Sequence, residues 1–270
     1  MNVFRFDFKR NFGGLIGWTV VISVIIAAIM FVQTLFSGFF QPDTFSSRVD
    51  AMPSLIRGIL ALNSSMDLSQ PYQFAAYIFQ FVLLLSGIYA ALIGAKALTG
   101  EEGKGTIEFL YSLPITRGSI LTQKLFSGII RYILHCIVIF AVTCATVWFL
   151  NRGMNISGVV IDLIRLFICA LFTGLVYMAI GFLFSALFRS NAESVSVTLA
   201  IVLITYIIGM MGNILSHLSF LRFFSPIHAV RPLTALNNGL SIVGLAIGLA
   251  VFIVALILAR IRYKKKDFII

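Results

Sequence analysis

Charge is what this sequence has least of. Of its 270 residues, 20 are Lys or Arg and 10 are Asp or Glu, 11% together, while 60% are hydrophobic. Mean hydropathy is +1.03. A soluble domain of this length could not hide so much apolar surface, so an ordinary soluble fold is excluded. Cysteine is nearly absent. Cys136, Cys144 and Cys169 all fall inside apolar runs, which reads as reduced packing residues and not as a disulfide frame or a zinc site. The three histidines, His135, His217 and His228, have no metal partner at ligand spacing.

What fills the space is a set of long apolar windows. About 20 residues suffice to cross a ~30 Å hydrocarbon core as helix. Continuous runs in place of two-residue alternation make the chain an all-α, polytopic membrane protein and not a barrel. Hydropathy and helix breakers place six spans at 14–36, 73–95, 129–150, 159–188, 195–215 and 239–259, within a single domain over 1–270. The first run is too long for a signal-peptide core and no small-residue cleavage site follows it, so it reads as a retained span. Six spans put both termini on one side. Fourteen Lys and Arg lie on that side: Arg5, Lys9, Arg10, Lys96, Lys104, Arg117, Lys124, Arg131, Arg189, Arg260, Arg262, Lys264, Lys265 and Lys266. Six lie on the other: Arg48, Arg57, Arg152, Arg165, Arg222 and Arg231. The excess predicts cytoplasmic termini, and basic residues gathered at span ends suit a membrane surface better than nucleic acid.

Polar groups within the spans are few. Proton and ion carriers usually bury carboxylates at mid-membrane. Here the only acidic residue in a span is Asp162, near its outer end, and Arg165 one turn on reads as its interfacial partner. Arg131 and His135, one helical turn apart, read as snorkelling and hydrogen-bonding residues. Two outer connections carry structure of their own. Within 37–72, PSLIRGILAL predicts a short helix along the outer leaflet, with Pro53 suited to its first turn. Residues 216–238, rich in aromatics, Arg and Pro, predict interfacial or re-entrant structure.

The inner connection 96–128 holds EEGKGTIEFLYSLPITR, residues 101–117. On a helix over 101–113, Glu101, Lys104, Glu108 and Ser112 share one narrow arc, opposite Ile107, Phe109, Leu110, Tyr111 and Leu113. Pro114 ends that helix and Thr116 can cap the next, which leads through Lys124 into the third span. The polar face carries two Glu beside one Lys. A helix built for anionic lipid would favour Lys and Arg, so mixed charge points to a protein partner. At the N-terminus, VFRFDFKRNF puts Phe4, Phe8 and Phe12 on one side with Arg5 and Lys9 nearby, an amphipathic pattern.

GEEGKGTIEFLYSLPITR resembles the cytoplasmic motif of ABC-2 type transporter permeases, in the drug and peptide export branch. That motif runs G-E-E-x-x-G-T-x-E-x-L, then a short apolar run, then L-P-[ILV]-[ST]-R. Glu101, Glu102, Gly105, Thr106, Glu108, Leu113, Pro114, Thr116 and Arg117 fall on its positions. Gly103 departs from it, since a helix-friendly residue is commoner there, and would loosen the first turn. MPSLIRGILALNSS and QPYQFAAYIF resemble the outer loop and the start of the second span. The resemblance implies the transmembrane subunit of a bacterial ABC exporter in the cell membrane. In it, 101–113 with Lys104 would be a coupling helix docked in a cleft of a separate nucleotide-binding subunit. It implies an N-terminal elbow helix on the inner leaflet (Phe4, Arg5, Phe8, Lys9, Phe12). It also implies a second permease, identical or related, and export of an amphipathic drug, antimicrobial peptide or lipid-like molecule. The permease itself would be no enzyme. Walker A requires G-x-x-x-x-G-K-[ST], and GKGT at 103–106 does not fit, because Gly105 follows the Lys and Leu98 holds the first Gly position. No cofactor is expected in this chain; ATP and Mg would be bound by the partner subunit.

Three other readings compete. An intramembrane protease of the CAAX type would need Arg where Thr106 stands, and would need Glu101 and Glu102 on the same face of the membrane as His228. A stand-alone carrier or channel lacks mid-membrane ionisable groups. A membrane anchor that binds an ATPase without transporting is the third. Gly244 and Gly248, four residues apart in the last span, can mark close helix packing.

Overall fold

A chain in hydrocarbon has no water to satisfy its backbone, so every apolar run must close its hydrogen bonds within itself. In the computed structural model, which describes residues 3–62, 66–102, 116–150, 156–230, 232, 235 and 239–266, every regular element is accordingly helical. The order is α1 (Val3–Arg10), α2 (Phe12–Leu35), α3 (Pro42–Ala51), α4 (Ser54–Leu60), α5 (Pro71–Ala95) and α6 (Thr99–Glu102). It continues with α7 (Arg117–Leu150), α8 (Ile156–Leu187), α9 (Asn191–Ile214), α10 (Pro226–Val230) and α11 (Ile242–Lys265). Helices α2, α5, α7, α8, α9 and α11 are each long and apolar enough to cross a membrane. Six crossings leave the described ends of the chain on one face, here called the termini side.

The span ends differ most from the sequence reading in α7. It starts at Arg117, directly after the expected Thr116 cap and three turns before the apolar span expected from 129, and its 34 residues extend about 51 Å at 1.5 Å per residue. Its first turns therefore rise from the bilayer as part of the same rigid rod. Helix α11 likewise continues to Lys265, beyond the expected 259.

Helix α5 is the hub. About 67% of its most apolar window is buried, against 22–39% for the other spans. Its closest neighbour is α8, and the reason is two glycines. A Cβ on Gly94 would sit 2.1 Å from the Met178 carbonyl oxygen and 2.7 Å from the Phe182 nitrogen. A Cβ on Gly181 would sit 2.4 Å from the Ala91 oxygen and 2.8 Å from the Ala95 nitrogen. The two backbones touch, and buried Ala91 and Ala95 complete a small-residue seam of the kind that lets membrane helices approach closely. Gly244 and Gly248 serve the same purpose within the chain. A Cβ on Gly248 would meet Phe172 of α8 at 2.3 Å, and one on Gly244 the Ala229 oxygen of α10 at 2.5 Å. The outward faces of α2, α9 and α11 expose Val24, Ile204, Ile253 and Ile257, an apolar surface suited to lipid.

On the far side, the expected short helix is α4, with Pro53 as its N-cap residue. A 3-10 stretch, Ser216–Phe224, leads into α10. Ser225, Pro226, Ile227, Ala229 and Val230 are buried, so this connection turns back into the bundle and is not a free loop.

Because the obstacle at Gly94 is backbone, Gly94→Leu is expected to cost about 3 kcal/mol or more, read as a large fall in thermal unfolding temperature in detergent. Gly17→Ala, where an added Cβ meets nothing within 4 Å, is expected to leave it unchanged or slightly raised.

Candidate functional site

The charged motif has two roots in the bundle. The first follows α5: after Ala95 the chain turns and forms the single turn α6, which ends at Glu102. The second is Thr116, where α7 begins. The Thr116 carbonyl accepts the Ser119 and Ile120 amides at 2.9 and 3.2 Å, and its Oγ1 lies 3.4 Å from the Ser119 nitrogen, the position expected of a capping residue. Lys104, Gly105, Thr106, Glu108 and Pro114, and with them the expected coupling helix, lie outside the described residues. Glu101 and Glu102 close α6, and Arg117 opens α7.

The last carbonyls of a helix have no intrahelical donors. At the end of α5 they are met from three directions. Thr99 Oγ1 donates to the Ala95 oxygen at 2.9 Å, and Ser194 Oγ of α9 donates to the same oxygen at 2.9 Å. Thr99 Oγ1 also lies 3.3 Å from Asn191 Oδ1. Lys124 Nζ of α7 donates to the Ala97 oxygen at 2.8 Å. Thr99 and Ser194 are fully buried and Lys124 is 2% exposed. The Ala97 carbonyl, just past the negative end of α5, favours this buried ammonium. Thus α5, α6, α7 and α9 share one knot directly above the motif's first root.

Helix α1 ties in beside it. Phe4, Phe8 and Phe12 form the expected ladder, with ring centroids 6.1 and 5.9 Å apart, and Arg5 and Lys9 are exposed. The residues α1 turns inward are different ones, Val3 and Asp7. Asp7 Oδ2 accepts from Ser127 Oγ at 2.7 Å and from Arg131 Nη2 at 2.9 Å, both on α7. Its Oδ1 accepts from Asn11 Nδ2 at 3.0 Å and lies 3.8 Å from Arg10 Nη2. The Phe4 amide donates to Gln123 Oε1 at 3.2 Å. Arg131 therefore does not snorkel, as its place in the sequence led us to expect. It is 5% exposed and held inward, because a guanidinium in an apolar span needs a counter-charge and Asp7 supplies it. His135 does hydrogen-bond, to Thr19 Oγ1 of α2 at 2.9 Å through Nδ1 and to Ser86 Oγ of α5 at 3.3 Å through Nε2. Asp162 and Arg165 form the expected i, i+3 pair at 2.8 Å.

Asp7, Ser127 and Ser194 were missed by sequence reasoning. One signal existed for the first. An inward-facing Arg in a span demands a carboxylate, and Asp7 is the one acid among the first ten residues. Among the described residues no group of three His, Cys, Asp or Glu stands together to hold a metal. What this arrangement offers is mechanical: two roots of one segment fixed into a single body of α1, α5, α6, α7 and α9.

The sequence matches the family model described as ABC-2 family transporter protein over residues 1–268, and the chain belongs to that family. It is the permease component of an ABC transporter, a multi-pass membrane protein that associates with an ABC ATPase subunit. No curated protein matches it.

Removing one partner of a buried ion pair leaves the other charge uncompensated. Asp7→Ala is expected to destabilise the protein by about 3–5 kcal/mol. The double change Asp7→Ala, Arg131→Met is expected to recover most of that loss, so a double-mutant cycle read by thermal unfolding should be strongly non-additive. Simple additivity would show that the pair carries no coupling.

Proposed function

We propose that residues 101–113 form a coupling helix through which a separate nucleotide-binding subunit drives this permease. The termini side then faces the cytoplasm of a bacterial cell, in agreement with fourteen basic residues against six. ATP and Mg are bound by the partner, and the permease contributes no catalytic group. Two ATPase subunits imply two permeases, identical or related. The observation that supports this reading best is the fixing of both motif roots. A helix pushed from below can transmit work only if its joints do not yield. Here one joint is knotted by Lys124, Thr99 and Ser194, and the other is the capped start of a rod that runs through the whole membrane. Rigid-body motion of packed elements is a standard route for such transmission.

The cargo in this reading is amphipathic and moves outward. A cavity of about 430 Å³ on the far side supports it, lined by Arg57, Gln80, Tyr206 and His228 together with Leu62, Met66, Ile214 and Ile227. Gln80 lies nine residues into α5 and Tyr206 eight residues before the end of α9. The cavity thus reaches about 12–14 Å along the helices at 1.5 Å per residue. A space of this size with mixed lining suits a molecule with one polar and one oily end.

Glu108→Lys and Gly105→Pro are expected to abolish ATP-dependent transport and co-purification of the ATPase subunit, while membrane insertion and thermal stability stay as in the wild type. Transport that survives both changes at normal expression would sink the coupling role.

A further inference from the structure

The two short helices that wall the far-side cavity differ in how firmly they are held. On one side α10 buries Ile227, Ala229 and Val230. On the other, α4 buries no residue. Among the described residues its one side-chain hydrogen bond to the bundle runs from Gln80 Nε2 of α5 to the Leu60 oxygen, at 3.4 Å. Arg57 pairs with Asp50 of α3 at 3.6 Å, so that ion pair does not tie α4 to a span. Gly58 rests against Ile214, the last residue of α9; a Cβ added at Gly58 would stand 3.2 Å from the Ile214 Cβ. The backbone changes direction at both ends of α4. Met52 and Pro53 have ψ of 142° and 141°. Ala61 sits at φ 52°, a left-handed conformation that a residue with a Cβ holds only at a cost. A lightly packed segment between two such joints is where hinge motion is found.

The two faces of α4 meet different surroundings. Ser54, Arg57, Gly58 and Ala61 line the cavity, and at 100° per residue they fall within an arc of about 100°. Leu55, Ile56 and Ile59 fall on the opposite side and are exposed at 58%, 43% and 41%. Three large apolar side chains on one exposed face suit hydrocarbon, not water. Depth agrees. Gly58 stands at the far end of α9, and the Leu60 carbonyl is served by Gln80, nine residues into α5. The last carbonyls of α4 have no donor within the helix, and this one takes its donor from a span. Helix α4 therefore stands at the level where acyl chains meet headgroups and separates the cavity from the acyl chains of the far leaflet. We propose that α4 is a gate between this cavity and the far leaflet, and that the cavity takes an amphiphile that stays in the bilayer, its polar head on Gln80 and Tyr206 and its apolar tail on Leu62, Met66 and Ile227. The outer face of the gate carries no side chain that would hydrogen-bond a water-soluble molecule. That the amphiphile is cargo rests on the reading of this cavity given above; the gate itself does not.

The geometry also supplies a lock. The Cβ atoms of disulfide-bonded cysteines stand about 3.5–4.5 Å apart, close to the separation at Gly58 and Ile214. Gly58→Cys combined with Ile214→Cys removes the side chain that a Cβ on Gly58 would strike, so the bond can form with little backbone movement. Reducing the same protein releases α4 and serves as the control for folding. Ile214→Cys alone controls for oxidation of Cys136, Cys144 and Cys169.

The test uses the full chain in nanodiscs of phosphatidylcholine, a minority of it carrying a diazirine in one acyl chain. After illumination, labelled residues are mapped by peptide mass spectrometry. The wild type and the reduced double variant are expected to be labelled on the Leu55, Ile56 and Ile59 face and on the cavity residues Met66 and Tyr206. Oxidation is expected to remove the cavity labels and leave those on α4. A diazirine-bearing glucose in the water is expected to label neither place. Wild-type cavity residues that lipid does not label, cavity labels that survive the lock, or labelling of either place by the sugar in place of lipid would overturn the gate. An outer face of α4 that neither probe labels would show that a second permease copy covers it, and would overturn the gate as well. A further arm adds the ATPase subunit and ATP, which are expected to lower cavity labelling in the wild type. Labelling that ATP leaves unchanged would remove the cargo reading of the cavity while the gate stands.

Discussion

The carbonyl oxygens at the end of α5 cannot be left without donors in a place that water hardly reaches. Much of the termini side is arranged around that need. Thr99 turns back to serve Ala95, Ser194 reaches the same oxygen from α9, and Lys124 brings a buried ammonium to Ala97. The turn they hold is the one from which the charged motif departs. In the proposed mechanism a requirement of hydrogen bonding thereby becomes a property of transmission: the segment that would be pushed is rooted where four helices are already tied.

The Asp7–Arg131 pair extends the same body to the N-terminus. Its worth lies less in net stability, since buried pairs often only balance their desolvation, than in what it forbids. Once Arg131 points inward, α1 cannot leave the bundle without stranding a charge. Helix α1 is thus anchored to α7 through Ser127 and Arg131. Below this pair His135 links α2 to α5, and the glycine seam at Gly94 and Gly181 fixes α5 against α8. Polar ties also hold the far side, where buried Gln33 of α2 donates to the Leu68 and Ser69 carbonyls at 3.0 Å each.

The six spans were legible because each is a run of about 20 apolar residues, and no tertiary context is needed to see that. The start of α7 was not read from hydropathy, since Lys124, Ser127 and Arg131 interrupt the run; the Thr116 cap was the truer sign. The outer connections were read in kind, α4 from its Pro and apolar residues and α10 from its aromatic surroundings. Asp7 escaped because a lone acid among Arg5, Lys9 and Arg10 reads as a solvated charge, and its partner lies 124 positions away. The glycine seam escaped for a related reason. Small residues on α5 and α8 mark surfaces able to pack closely, but which surface meets which is decided only in the assembled bundle. The motif itself was the clearest feature of the sequence, and its central residues lie outside those the structure describes.

The claim on which these points converge is that both roots of the motif belong to one rigid body. It is tested most directly by spin labels at Lys96 and Thr122, two exposed positions beside the two roots, in the complex with its ATPase. Their separation would be measured by pulsed electron resonance without nucleotide and with ATP, closure of the ATPase subunits being followed by a second label pair. The account predicts a Lys96–Thr122 distance constant to within about 2 Å as the ATPases close. A change approaching one helical turn, about 5 Å, would show a hinge between the roots and contradict it.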